Sequence, residues 1–186
     1  MGLFDNLKNK AAEAMKSVTG SNKSVDVVFP TLPENLEQFK ALPQAKLETQ
    51  FDTAALTVLA LCFYPQDKEL CYEMLQFLSG PREVTPREKQ FIRDRFMDGT
   101  DYIPRSYFKG AVPDNDYTPS EPYTITVKEG KYSYDNEGYA KLHIASGGAD
   151  SPRDILLRKA KDGKWYLWEQ FLLVGIRKPE SSNPWA

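Results

Sequence analysis

The hydrophobic period of this chain changes once along its length, and that change constrains the fold more than any other feature of the sequence. Up to Gly99 the apolar residues recur at helical spacing. From Tyr123 onward they alternate, with Tyr123, Ile125 and Val127 on one side and Thr124, Thr126 and Lys128 on the other. Helical spacing lays an apolar stripe along one face of a helix, and alternation gives a half-buried strand. A run of helices followed by a run of strands predicts an α+β fold, with a helical N-terminal half packed on a C-terminal antiparallel meander of four to five strands.

Within the helical half, residues 51–63 are apolar on nearly every side, which marks the central core helix; Asp52 or Thr53 is the expected cap. Residues 67–79 carry Leu70, Met74 and Leu78 in one row with Cys71 and Leu75 beside it, and Gly80-Pro81 stops that helix. Thr85-Pro86-Arg87-Glu88 is a capping box with proline at the first helical position, so a helix to about Met97 follows. A short helix is expected over residues 34–42. Residues 25–29 are β-branched and precede Pro30, which suits an edge strand or an extended arm.

In the second half, residues 139–146, 154–159 and 164–169 read as further strands. Lys161-Asp162-Gly163 joins the last two, since Asp-Gly accepts the positive φ angles of a tight turn. Residues 171–176 are the candidate fifth strand. Trp165 and Leu167 point to one face, Tyr166 and Trp168 to the other, so both faces need cover. Residues 100–122 hold four prolines and the aromatics Tyr102, Tyr107, Phe108 and Tyr117, which predicts a loop that covers the sheet.

The 186 residues are 41% hydrophobic and 27% charged, enough apolar surface for one core plus an appendage. The expected division is an amphipathic helical appendage over 1–20, a linker or edge strand over 21–30, a single α+β domain over 31–178 and a tail over 179–186. Residues 1–24 carry four lysines against one Asp and one Glu, a local +2, which leaves −4 for the rest of a chain whose net charge is −2. That acidic body argues against nucleic-acid binding. Met1 to Val18 has no uninterrupted apolar stretch of a signal peptide, and the longest apolar run, residues 54–64, is about half of what spans a bilayer. A cytoplasmic protein is expected.

The first helix places Leu3, Phe4 and Leu7 on an apolar stripe, with Lys8 and Lys10 on the other side. This is the pattern of a helix that docks on its own domain, on a second copy or on the inner face of a membrane. Protein partners or self-association are therefore expected, with a membrane surface as the other candidate.

Catalytic chemistry finds little support in the residue types. A single histidine, His143, sits on an alternating strand as a solvent-facing residue. Cys62 and Cys71 read as core residues, and neither a zinc site nor a Ser-His-Asp unit can be assembled. No Walker loop or G-x-G-x-x-G occurs, so no cofactor is implied. Residues 146–153, the one glycine-rich loop near an arginine, read as a strand connection. Asp114-Asn115-Asp116 lacks the glycine and glutamate of a calcium loop. What remains is Tyr102, Arg105, Tyr107, Phe108, Arg153, Trp165, Tyr166 and Trp168, aromatics and arginines able to line a cleft for a planar or anionic group.

The segments Tyr102-Ile103-Pro104-Arg105-Ser106-Tyr107-Phe108, Ala145-Ser146-Gly147-Gly148-Ala149-Asp150-Ser151-Pro152 and Lys164-Trp165-Tyr166-Leu167-Trp168-Glu169 resemble an uncharacterised bacterial family classed as a domain of unknown function. The resemblance covers roughly residues 30–178. It implies a bacterial, cytoplasmic setting and brings no activity, cofactor or catalytic residue. The expected function is a non-enzymatic binding module. The alternative is a small-molecule enzyme of the cystatin or nuclear-transport-factor type, with a cavity between helices and curved sheet.

Overall fold

The computed structural model describes residues 22–185, and the sheet begins with the first strand of that range. β1 (Ser24–Phe29) is an edge strand, and it pairs with β2 (Tyr123–Lys128) so that Val25, Val27 and Phe29 stand opposite Val127, Ile125 and Tyr123. β3 (Tyr139–Ile144), β4 (Arg153–Lys159) and β5 (Trp165–Gln170) follow in order, each antiparallel to the last. Four α-helices separate β1 from β2: α1 (Leu36–Ala41), α2 (Gln50–Leu61), α3 (Lys68–Ser79) and α4 (Pro86–Arg95). The fold is α+β with a five-stranded antiparallel meander, as the change of period implies.

α2 is the element around which the core is built. Ala54, Leu56, Val58, Leu59 and Leu61 are all buried, and the helix touches every strand of the sheet. Its cap is Thr49 and not Asp52 or Thr53. The Thr49 hydroxyl accepts from the Asp52 N–H at 3.1 Å and donates to the Asp52 carboxylate at 2.6 Å, so Asp52 answers the cap from the first turn. Phe63 lies past the helix end and is half-buried. α4 starts as expected, with Thr85 and Glu88 closing a reciprocal capping box, and it ends at Arg95, two residues earlier than the sequence suggests.

The expected strand over residues 171–176 does not form. Leu172, Leu173 and Ile176 are buried there, yet the backbone turns, with Gly175 at φ 67°. Side chains take the carbonyls that a neighbouring strand would otherwise bind: Tyr107 holds that of Leu172, and Arg153 holds those of Val174 and Gly175.

Residues 100–122 do more than cover the sheet. β2 and β3 are in register only at Val127↔Ile144 and Lys128↔His143. Where they part, the loop enters: Phe108 bridges to Ile125, the Lys109 N–H donates to the Thr124 carbonyl at 2.9 Å, and the Gly147 N–H donates to the Ser106 carbonyl at 2.9 Å. β1 occupies the other side of β2, so the loop stands in the place that β3 has left. Tyr102, Tyr107, Phe108 and Tyr117 fill the gap, none more than 5% exposed.

Candidate functional site

The aromatics and arginines singled out in the sequence do not form one cleft. The Tyr102 ring stacks on Tyr117 at 5.3 Å between centroids. Tyr107 is buried, burial pushes its hydroxyl pKa up, and it donates to the Leu172 carbonyl. Phe108 packs edge-on to Tyr123. Arg153 spends its guanidinium on its own chain, donating to the carbonyls of Val174 (2.7 Å), Gly175 (2.8 Å) and Ser151 (2.8 Å). Arg105 is a surface residue 3.9 Å from Asp101. Tyr102, Tyr107, Phe108 and Arg153 are thus engaged within the fold. Trp165 has its backbone fixed by Leu47 and Thr53, and Lys159 lies over its ring at 5.7 Å.

Tyr166 and Trp168 are placed differently, and a β-bulge accounts for it. The register between β4 and β5 shifts at Leu156/Leu157: Leu157 faces Leu167 and Leu156 faces Glu169, so Trp168 is the extra residue. Leu167 keeps its inward position while Tyr166 and Trp168 emerge at the rim beside the end of α3. Tyr166 lies against Gly80, where φ is +59° and a side chain would collide with the phenol ring. Its hydroxyl donates to Asp162 at 2.6 Å; that bond first, and burial second, raises the phenol pKa to about 12.

Trp168 gathers residues that sequence reasoning missed. The guanidinium of Arg158 lies 4.6 Å from the centroid of its ring and 5.2 Å from that of Tyr139, while Arg82 lies 5.5 Å from Trp168. Tyr139 meets Trp168 edge-on at 5.7 Å. Arg82 is already paired, both of its terminal nitrogens 2.9 Å from Glu88 of the capping box. Burial raises the Glu88 pKa, but Arg82 and the Thr85 N–H and hydroxyl outweigh it and hold the carboxyl below its usual range. Arg158 has no carboxylate partner among the described residues. Only register with Tyr139 and Trp168 separates Arg158 from any other outward strand residue, and register is not written in a single segment.

Three shallow grooves follow one another along β5. The middle one, about 630 Å³, is lined by Arg82, Arg158, Lys159, Lys161, Tyr166 and Trp168. Toward the end of the strand a groove of about 510 Å³ opens between β5 and α4, with Leu75, Phe91, Ile92 and Phe171 among its walls and Trp168 shared with the first. Toward the start of β5 a third, about 620 Å³, shares Tyr166 and runs past Tyr72 and Phe77 of α3. All three lie at the surface, and the side chains of α2 that meet the sheet are buried.

The remaining reactive side chains are engaged elsewhere. His143 lies on the outer face of β3, as the alternation suggests, and is half-buried there: its Nδ1 lies 2.7 Å from Asp154, which Lys141 also reaches at 3.0 Å. The other ring nitrogen stands against Gly130, so close that a side chain there would meet it at 2.8 Å. Burial pushes the Cys62 thiol up to about 12 and raises that of Cys71, which keeps both protonated. In the glycine-rich connection after β3, the amides of Gly147 and Gly148 go to Ser106 and Ser146. Among the described residues there is no group of three or more His, Cys, Asp or Glu able to hold a metal, and no helix long and apolar enough to cross a membrane. Leu3, Phe4, Leu7, Lys8 and Lys10 lie outside the described residues.

No curated protein and no solved structure matches the chain. A family profile described as Domain of unknown function (DUF6935) matches residues 31–180. That span begins just after β1 and contains all four helices, the inserted loop and the β5 rim. The chain therefore belongs to the DUF6935 family.

Proposed function

We propose that this domain is a non-enzymatic interaction module that holds a segment of a partner protein along the β5 rim. The observation that carries this reading is the pair Tyr166 and Trp168, half-exposed beside an arginine whose charge the described chain does not neutralise. Large aromatics and arginine at a partly desolvated surface are the residue types that dominate binding energy in protein interfaces. Three grooves in line along one strand suit an extended segment better than a compact metabolite. The side chains of α2 that face the sheet are buried, whereas the three grooves lie open at the surface. The lysines and apolar stripe of residues 1–20 support a second contact, with a membrane surface or another copy, and a cytoplasmic setting is part of the same reading.

Selection of a displayed random-peptide library on the protein, with enriched peptides then measured on Trp168→Ala, tests the proposal. Loss of about tenfold or more in affinity on Trp168→Ala is expected, the range of an interface anchor. Enriched peptides that bind Trp168→Ala as tightly as the parent protein would overturn it.

A further inference from the structure

We infer that the segment taken by the β5 rim is acidic, with a carboxylate seated on Arg158 and an apolar side chain in the neighbouring groove beside Phe91 and Phe171. This rests on the interaction-module reading and names the chemistry of its partner.

The rim reverses the charge of the body it belongs to. Arg82, Arg158, Lys159 and Lys161 line the middle groove with Asp162 as the one acid among its walls. Asp162 faces its own chain, accepting from the Tyr166 hydroxyl at 2.6 Å and the Lys164 N–H at 2.9 Å. Arg82 is neutralised by Glu88. Arg158 is left as the reader. Its guanidinium lies over two aromatic rings, which limits the side-chain freedom that a ligand would have to freeze, and its fork of N–H donors has no carboxylate partner among the described residues. A planar fork held in place and flanked by lysines matches a carboxylate in two parallel hydrogen bonds.

The flanking grooves favour a peptide over a longer polyanion. The one toward the start of β5 mixes Glu69 and Glu73 with Lys40, Lys89 and Lys164, and the one toward its end mixes Glu88 and Glu169 with Arg82 and Arg87. A nucleic-acid strand following β5 carries phosphates of one sign along its whole length, whereas both flanking grooves alternate carboxylates with cations. A peptide can put one or two acids on Arg158 and change to apolar residues where the groove against α4 offers Leu75, Phe91 and Phe171.

Fluorescence anisotropy on the full chain tests this with a labelled octapeptide alternating Glu and Leu, its Gln/Leu counterpart, and an oligothymidylate of equal charge. The Glu peptide should bind about tenfold or more tightly than the Gln peptide, weaken as salt is raised, and lose about tenfold on Arg158→Ala. Arg158→Lys should recover only part of the loss, because a point charge cannot form the paired bonds. Lys161→Glu, on the exposed turn, gives the same direction should Arg158→Ala fail to fold. Equal binding of the Gln peptide, equal binding of the oligothymidylate, or no change in Arg158→Ala and Lys161→Glu would each overturn the inference. Trp168-dependent library peptides that lack acids would overturn it too and leave the module reading standing, whereas library peptides indifferent to Trp168 would remove both.

Discussion

Two regions of this protein are rich in aromatics, and they use them in opposite ways. In the inserted loop, Tyr102, Tyr107 and Tyr117 bury their rings and direct their hydroxyls at carbonyls of the segment after β5: Tyr107 to Leu172, Tyr117 to Arg177 at 2.6 Å, and Tyr102 toward Ile176 at 3.5 Å. At the β5 rim, Tyr139, Tyr166 and Trp168 stay half-exposed, and cations lie over the rings of Tyr139 and Trp168. Buried hydroxyls with backbone partners fix one chain segment to another. The half-exposed rings stand beside Arg158, which has no carboxylate partner among the described residues. The residue types are much the same, and the destination of their polar groups separates the two regions.

The hardest test of the contrast is Tyr107→Ala. The ring is 3% exposed and its hydroxyl holds the Leu172 carbonyl where no strand does, so truncation removes core contacts and leaves that carbonyl unpaired. A loss of about 3–5 kcal/mol is expected by denaturant unfolding, the range for a large aromatic in a core. A midpoint shift small enough to match a rim substitution would erase the distinction between the two regions.

Arg153→Ala comes next in size. This arginine fastens the turn after β5 through Val174, Gly175 and Ser151, and a hydrogen bond from a charged donor contributes about 1.5–3 kcal/mol. Val174 and Gly175 are exposed, so water can replace part of what is lost. A cost of about 1–3 kcal/mol is expected, measured by thermal unfolding. No change would show that the turn holds without it.

A smaller effect sits where the two kinds of region meet. Glu88 closes the α4 capping box and pairs with Arg82, and its folded pKa lies below the ordinary 4.5. A carboxylate whose pKa is depressed on folding adds stability that is complete above the unfolded value and is lost as pH falls through the folded one. Glu88→Gln should therefore cost about 1 kcal/mol or less near neutrality, discounted for a side chain 34% exposed. The gap between variant and parent should close below about pH 4.5. Unfolding curves at pH 7 and pH 3 check this, and a gap that persists at pH 3 would mean that the pairing does not set the pKa.

How far the sequence carries the fold can be judged from particular elements. The α4 capping box and the turn before β5, with Gly163 at φ 83°, were legible because their signals are local. The α2 cap escaped because Asp52 is itself a good capping residue, and only the geometry puts Thr49 in front of it. The false strand over 171–176 has strand-like apolar content, but its carbonyls belong to Tyr107 and Arg153, far away in the chain. Of the candidate site, Tyr166 and Trp168 were found as large aromatics. Arg82, Tyr139 and Arg158 were not, because a bulge in β5 and the antiparallel register of β3 with β4 assemble them.

Arg158 and Arg153 make the last and finest test, since both lie on β4 and composition cannot separate them. Arg153 donates to three carbonyls, whereas Arg158 is exposed, forms no ion pair among the described residues and touches the fold through cation–π contacts with Tyr139 and Trp168. Each such contact at an exposed site is worth about 0.5–1 kcal/mol, part of which solvent restores when the side chain is removed. Removing an unpaired cation also relieves repulsion from Lys159 and Lys161 nearby. The two terms oppose each other, so Arg158→Ala should change stability by less than about 1 kcal/mol in the same thermal measurement that registers Arg153→Ala. Equal losses for the two arginines would make Arg158 one more structural clamp. A clear difference, with Arg158 near zero, would mark it as a side chain kept for something outside the fold.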